Sequence, residues 1–169
     1  MKLTGATGHM PAPTDSASHP CAHLAQHATA WANIFLPLHY CTFPHYALIH
    51  VHMPTRTMTL YDSWLQGGAR SQQHALRRAD ALLARLQHGA TDQTPPPLRH
   101  VVRQDMPQQQ DGTSCGVFMA CTALAILRAL RDGGDPLNPT LDFEHKHMNW
   151  LRVHFAHRYC NRVRPLRDA

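Results

Sequence analysis

The chain has 169 residues, room for one domain with a sizeable core. It is 43% hydrophobic, but no apolar run nears the roughly 18 residues of a membrane span and Met1 to Pro20 lacks the apolar centre of a signal peptide. Its net charge of +5 sits on scattered arginines and aromatics are only 7%, so the charge reads as a solvated surface, which would also suit an acidic protein partner, rather than as a basic, aromatic-laced nucleic-acid face.

In chain order, residues 1–30 are rich in Ala, Pro, Thr, Ser and His without periodicity, which predicts a poorly ordered segment ahead of a single domain over 31–169. Ile34-Phe35-Leu36-Pro37-Leu38 reads as a buried strand ending near Pro37. His45 to His52 is a second strand, with Tyr46, Leu48 and His50 facing opposite to Ala47, Ile49 and Val51. Pro54-Thr55-Arg56 is a turn, and Thr57 to Asp62 returns as a third strand to complete a hairpin. Ser71 can cap a helix with Leu76, Ala79, Leu83 and Leu86 on one face and Gly89 as its stop. After Pro95-Pro96-Pro97 a strand is expected over roughly Leu98 to Arg103.

The next helix runs from Cys115 to about Arg131 and is almost wholly apolar, which marks it as the central buried helix. Asp132-Gly133-Gly134-Asp135-Pro136 stops it. A last helix near Phe143 to Tyr159 aligns Met148, Leu151, Phe155 and Tyr159. Strands, a hairpin and then helices imply an α+β fold.

The chemistry is concentrated where the glutamine-rich turn Gln108-Gln109-Gln110 passes through Gly112 into Cys115. A thiol at a helix N-terminus lies beside orphan N–H groups and the positive end of the helix dipole, and both favour the nucleophilic thiolate. A side-chain amide six residues upstream, Gln109, can fold back to donate to an oxyanion, with Gln108 and Gln110 as positional alternatives. Cys121 lies in the same helix without such a setting and is expected in the core.

A base follows from hairpin geometry. Centring the turn between Pro54 and Thr55 places His45 opposite Trp64 and Asp62 diagonally across, where such neighbours lie about 7–8 Å apart at Cα. Long polar side chains close that gap, so imidazole and carboxylate can meet. His39-Tyr40 mimics His45-Tyr46, but it precedes the hairpin and is expected to sit far from Asp62.

These segments resemble one family, the ubiquitin-like-protein-specific (SUMO-type) cysteine proteases. The resemblance lies in Ile34 to Pro37, His45-Tyr46-Ala47-Leu48-Ile49, Leu60-Tyr61-Asp62-Ser63, Asp105-Met106-Pro107-Gln108-Gln109, and Asp111-Gly112 with Ser114-Cys115-Gly116-Val117-Phe118. It implies a papain-like fold, with the nucleophile's helix packed against a small, mostly antiparallel sheet. It further implies Cys115 as nucleophile, His45 as general base, Asp62 as its orienter and Gln109 as oxyanion donor. Trp64, Tyr46 and Gly116 become candidate substrate contacts, Trp64 as a wall of a tunnel for a glycine-glycine tail. Tyr46 stands where many members have Trp, and Ser114 where Asp is common. Family domains usually begin with helices and a Trp-Leu-Asn-Asp-like segment, of which Trp31 would be a remnant, so the chain looks like the catalytic half of such a domain.

The implied activity is cleavage after the C-terminal glycine of SUMO or a related modifier, and the implied partners are that modifier and its conjugates. A deubiquitinase or deneddylase of the same fold, an acetyltransferase with this type of triad, and a truncated non-catalytic remnant that only binds a ubiquitin-like partner are the alternatives. Five cysteines, an odd number without framework spacing or a secretion signal, predict reduced thiols in nucleus or cytoplasm. A monomer is expected, without membrane or nucleic acid. Among 15 histidines the metal candidates are Cys21 with His23 and His27, His50 with His52, and His145 with His147. Four converging ligands with paired cysteine spacing are missing, so neither metal nor cofactor is expected.

Overall fold

A computed structural model describes residues 31–40, 43–64, 68–88 and 96–163, with side chains to Arg158 in the last helix. The expected disorder of residues 1–30, the stop at Gly89 and the side chain of Tyr159 lie outside the described residues. Strands β1 (Asn33–Tyr40), β2 (His45–His52), β3 (Thr57–Tyr61) and β4 (Arg99–Val102) form one sheet in the order β1-β2-β3-β4. Its helices are α1 (Gly68–His88), α2 (Cys115–Arg131) and α3 (Met148–Val163), the last entered through a 3-10 turn, His145–His147. None of the described helices is long and apolar enough to cross a membrane.

Period-2 alternation in β2 separates two cores. Ala47, Ile49 and Val51 join Ile34, Met58 and Leu60 under α1, whose Ala75, Leu76, Ala79 and Leu83 face them. Leu48 points the other way and packs with Tyr61, Met106 and the α2 residues Phe118, Cys121 and Ile126. A strand covered on both faces has no solvated side, and β3 is buried at all five positions. Fully burying a Leu- or Phe-sized side chain is worth about 1.5–3 kcal/mol, so these two layers dominate the fold's stability.

The hairpin register follows the expected centre, with His52 opposite Thr57 and Leu48 opposite Tyr61. Arg56 takes φ 51 to close the turn. β4 lies parallel to β3, with α1 carried in the crossover between them, so the otherwise antiparallel sheet is mixed. Several boundaries differ from the sequence reading: the last helix, expected near Phe143 to Tyr159, spans Met148–Val163 behind the 3-10 turn, and β3 stops at Tyr61, one residue short of Asp62. β1 does not end near Pro37 but continues to Tyr40, because β1 is an edge strand and an edge proline forfeits no ladder hydrogen bond on its open side. α1 begins at Gly68, three residues before Ser71, with Gly68 at φ 79.

α2 has the expected bounds. It buries Cys115, Phe118, Cys121, Thr122, Ala125 and Ile126, while Leu124 and Leu127 on its far side are 40% and 48% exposed. Gly133 at φ 72 accommodates the chain just past its C-terminus. α3 buries Met148 and packs Leu151 and Phe155 on the α2 core, at the spacing expected of an amphipathic helix.

Candidate active site

His45 opens β2 and pairs directly with Tyr40, the last residue of β1. Asp62 follows β3 by one residue. By alternation, Tyr40, His45 and Asp62 all project on the α1 side, at one end of the sheet. His45 Nε2 lies 2.7 Å from Asp62 Oδ1, with both side chains almost fully buried. The Asp62 carboxylate also accepts the backbone N–H of Trp64 at 2.9 Å on Oδ1 and the Tyr40 hydroxyl at 2.9 Å on Oδ2. Three donors satisfy the buried carboxylate, as a buried charge requires. Burial and the adjacent Asp62 charge both push the Tyr40 hydroxyl's pKa up, so it stays a donor.

Tyr40 corrects the sequence reading. The His39-Tyr40 pair was expected far from Asp62, yet β1 runs past Pro37 far enough to lay the Tyr40 hydroxyl on that carboxylate. Strand alternation carries the missed signal: if β1 reaches residue 40, that residue faces the same way as its partner His45.

With Nε2 directed at Asp62, the opposite nitrogen of the imidazole, Nδ1, is buried and has no hydrogen-bond partner. The ring is fenced by aromatics: Phe43 is stacked at 5.7 Å, Tyr40 lies at 5.4 Å, and Trp64 meets it edge-on at 5.9 Å. Tyr46 points away from this corner; it is 44% exposed, with its ring 4.8 Å from His39.

Cys115 is the first residue of α2, buried and free of any disulfide. It makes no hydrogen bond to the His45 ring, since neither ring nitrogen is so engaged. α2 lies on the opposite face of the sheet from His45, and the two parts are joined around the sheet's end by the 104–114 loop. The Gln109 backbone N–H donates to Ser63 O at 2.9 Å, and the Ser63 hydroxyl donates to Gln109 Oε1 at 2.8 Å. Gln109 Nε2 donates to Asp111 O at 2.7 Å. Gln108 instead turns its amide to Met106 O, at 2.8 Å. Ser63 adjoins Asp62, so these bonds tie the cysteine's loop to the residue next to the carboxylate.

At the helix start, the Ser114 carbonyl accepts the N–H groups of Val117 and Phe118. The Ser114 side chain does not cap the helix; its hydroxyl donates to Asp111 Oδ2 at 2.7 Å. Asp111 Oδ1 also accepts the backbone N–H groups of Thr113 and Ser114. Desolvation raises the Asp111 pKa, but the Ser114 hydroxyl, these N–H groups and the charge of His145 outweigh it and bring it down to about 2. Gly116 is half-buried, with open space where a Cβ would stand. Cys121 sits in the core, where burial pushes its thiol up to about 11 against the opposing pull of Arg128.

The histidines singled out for metal have other engagements. His50 Nε2 bonds Asn33 Oδ1 at 2.8 Å and His52 Nδ1 bonds Thr55 Oγ1 at 2.8 Å. His145 accepts Gln110 N–H, and His147 accepts Glu144 N–H. Among the described residues no group of three or more His, Cys, Asp or Glu could hold a metal ion. Cys21, His23 and His27 lie outside the described residues.

A buried imidazole–carboxylate pair at the end of a small mixed sheet, together with a helix that begins at a cysteine, fits the α+β architecture of papain-like cysteine peptidases. The model of the Ulp1 protease family, C-terminal catalytic domain, matches residues 19–163, and the chain belongs to that family. The solved catalytic domain of the Ulp1-like SUMO protease of Chaetomium thermophilum is 20% identical, with a TM-score of 0.47 over 73% of this chain and 44% of its own. The chain thus spans less than half the length of that solved domain. No curated protein matches the sequence.

Proposed function

We propose that this domain cleaves the bond after the C-terminal glycine of SUMO or a related ubiquitin-like modifier, with Cys115 as nucleophile. The observation that carries the reading is the buried His45–Asp62 pair, oriented so that Nδ1 is the ring nitrogen left for the thiol. Nδ1 takes the Cys115 proton, and the thiolate attacks the glycine carbonyl carbon to form a tetrahedral oxyanion. Asp62 holds the Nε2–H tautomer and stabilises the imidazolium. Gln109 spends one amide proton on Asp111 O, and its second proton, with the Cys115 backbone N–H, serves the oxyanion. As the intermediate collapses, His45 Nδ1–H protonates the leaving amine and a thioester remains. Water, deprotonated by His45, then releases the modifier's carboxylate and restores the thiol.

Trp64, fixed through its backbone on Asp62 and its ring on His45, walls the passage for the glycine tail. Gly116 is the further substrate contact, because its open flank admits an extended backbone. The reaction requires a reduced thiol, which fits a nuclear or cytoplasmic protein.

The test is a panel of ubiquitin, SUMO and related modifiers carrying C-terminal electrophilic warheads, with Cys115→Ala as control. Adduct formation with SUMO or a related modifier, lost in Cys115→Ala, is expected. Labelling by ubiquitin alone would replace the substrate assignment with a deubiquitinase. Labelling retained in Cys115→Ala would overturn the nucleophile, and no labelling by any probe would favour a non-catalytic binder.

A further inference from the structure

We propose that Arg152, on α3, is a positioning residue for Cys115: it clamps the Asp111–Ser114 loop and offsets the Asp111 charge where the thiolate forms. The inference rests on the reading of Cys115 as nucleophile and adds a residue that reading does not use. Arg152 Nη2 donates to Ser114 Oγ at 2.8 Å and to Thr113 Oγ1 at 2.9 Å, and lies 3.6 Å from Asp111 Oδ2. Its other arm, Nη1, donates to Asn149 Oδ1 at 3.1 Å, one turn earlier on α3.

These bonds form a directed chain. The guanidinium donates to the Ser114 hydroxyl, and that hydroxyl donates in turn to the Asp111 carboxylate. Ser114 is fully buried, so its hydroxyl proton has a fixed acceptor, and successive donors polarise one another. Ser114 is covalently next to Cys115 and its carbonyl closes the first turn of α2. Gripping this serine therefore sets the direction from which the sulfur leaves the helix.

Charge makes the second half of the case. Asp111 stays ionised at the start of α2, where it competes with a thiolate for the positive end of the helix. Arg152 is a cation bonded into that loop from another element. His145, preceding α3, faces the same segment through its bond from Gln110 N–H, and its charge lowers the Asp111 pKa. α3 thus contacts the nucleophile's loop through groups separate from Met148, Leu151 and Phe155, which pack it on the core.

The experiment follows iodoacetamide alkylation of Cys115 against pH, resolved by peptide mass spectrometry, in the full 169-residue chain. Wild type, R152A, R152K and the double variant D111N/R152A are compared, alongside turnover of a C-terminally labelled modifier. R152A is expected to move the alkylation midpoint up by roughly half to one pH unit, as loss of a single nearby charge across a partly solvated gap implies. It should also lower kcat about tenfold with little change in KM. R152K keeps the charge but loses the planar fork, so it should return the midpoint while turnover stays reduced. D111N/R152A removes both charges and should return the midpoint as well.

A purely structural role would not produce that split. An R152A profile superimposed on a lowered wild-type midpoint, or an R152K midpoint shifted as far as that of R152A, would overturn the proposal and leave the nucleophile standing. A Cys115 that titrates as an ordinary thiol in the wild type would instead overturn the nucleophile assignment.

Discussion

Two ends of the site are built in opposite ways. Around Asp62, buried side chains from different strands converge, with Tyr40 and His45 bonded to it across 22 and 17 residues of sequence. Around Cys115, the loop closes on itself through Asp111 bonds to Thr113 and Ser114, two and three residues away, and stays half-open to solvent. The His45–Asp62 pair is held by burial within a sheet, so its geometry is as stable as the core. The Cys115 loop is held by hydrogen bonds, and the longer-range ones come from Ser63, His145 and Arg152. The buried pair and the hydrogen-bonded cysteine loop can thus be broken separately.

The largest effect should come from the buried end. Asp62→Asn preserves shape but disturbs the imidazole tautomer, and kcat/KM for modifier cleavage is expected to fall on the order of 10⁴-fold, by analogy with serine triads. Steady-state kinetics with a fluorogenic modifier checks this; a loss under tenfold would mean that Asp62 does not orient the base. At the loop end, Gln109→Ala should lower kcat by about 10²–10³-fold with KM nearly constant. Gln108→Ala, whose amide turns to Met106 O, should do far less. Equal losses in the two variants would reverse the choice between them.

Tyr40→Phe sharpens the contrast by removing one donor to the carboxylate while keeping the ring. A hydrogen bond to a charged group is worth about 1.5–3 kcal/mol, so denaturant unfolding should show a loss in that range, with less damage to kcat than Asp62→Asn. Unchanged stability would mean water replaces the hydroxyl.

A pH effect follows from the sheet itself. His50 is fully buried, and desolvation first, then the neighbouring His52, lowers its pKa to about 4. Its folded value lies below the unfolded one of about 6.5, so the unfolded chain binds the extra proton between them. Stability should therefore be complete above about pH 6.5 and fall as pH drops towards 4. Thermal melts of His50→Phe should lack that slope.

The smallest expected effect is at Asp111. Its depressed pKa of about 2 contributes stability above the ordinary carboxylate range that fades as pH falls towards 2. Asp111→Asn should flatten that acid limb, a change readable by far-UV circular dichroism.

The sequence by itself determined what is local. Alternation located β2 and β3, the turn's centre set their register, and one apolar run fixed both ends of α2. Because a two-residue offset across a hairpin is a local distance, His45 and Asp62 could be paired before any fold was known. The tertiary structure decided what depends on neighbours distant in the chain. Pro37 reads as a strand end until the sheet order makes β1 an edge, and only then does Tyr40 reach Asp62. The parallel placement of β4 requires the α1 crossover, and the grip of Arg152 on Ser114, 38 residues away, requires α3 to dock beside the start of α2. No periodicity encodes such contacts, because they arise only when separate elements bury their apolar faces together and bring their polar rims within hydrogen-bond reach.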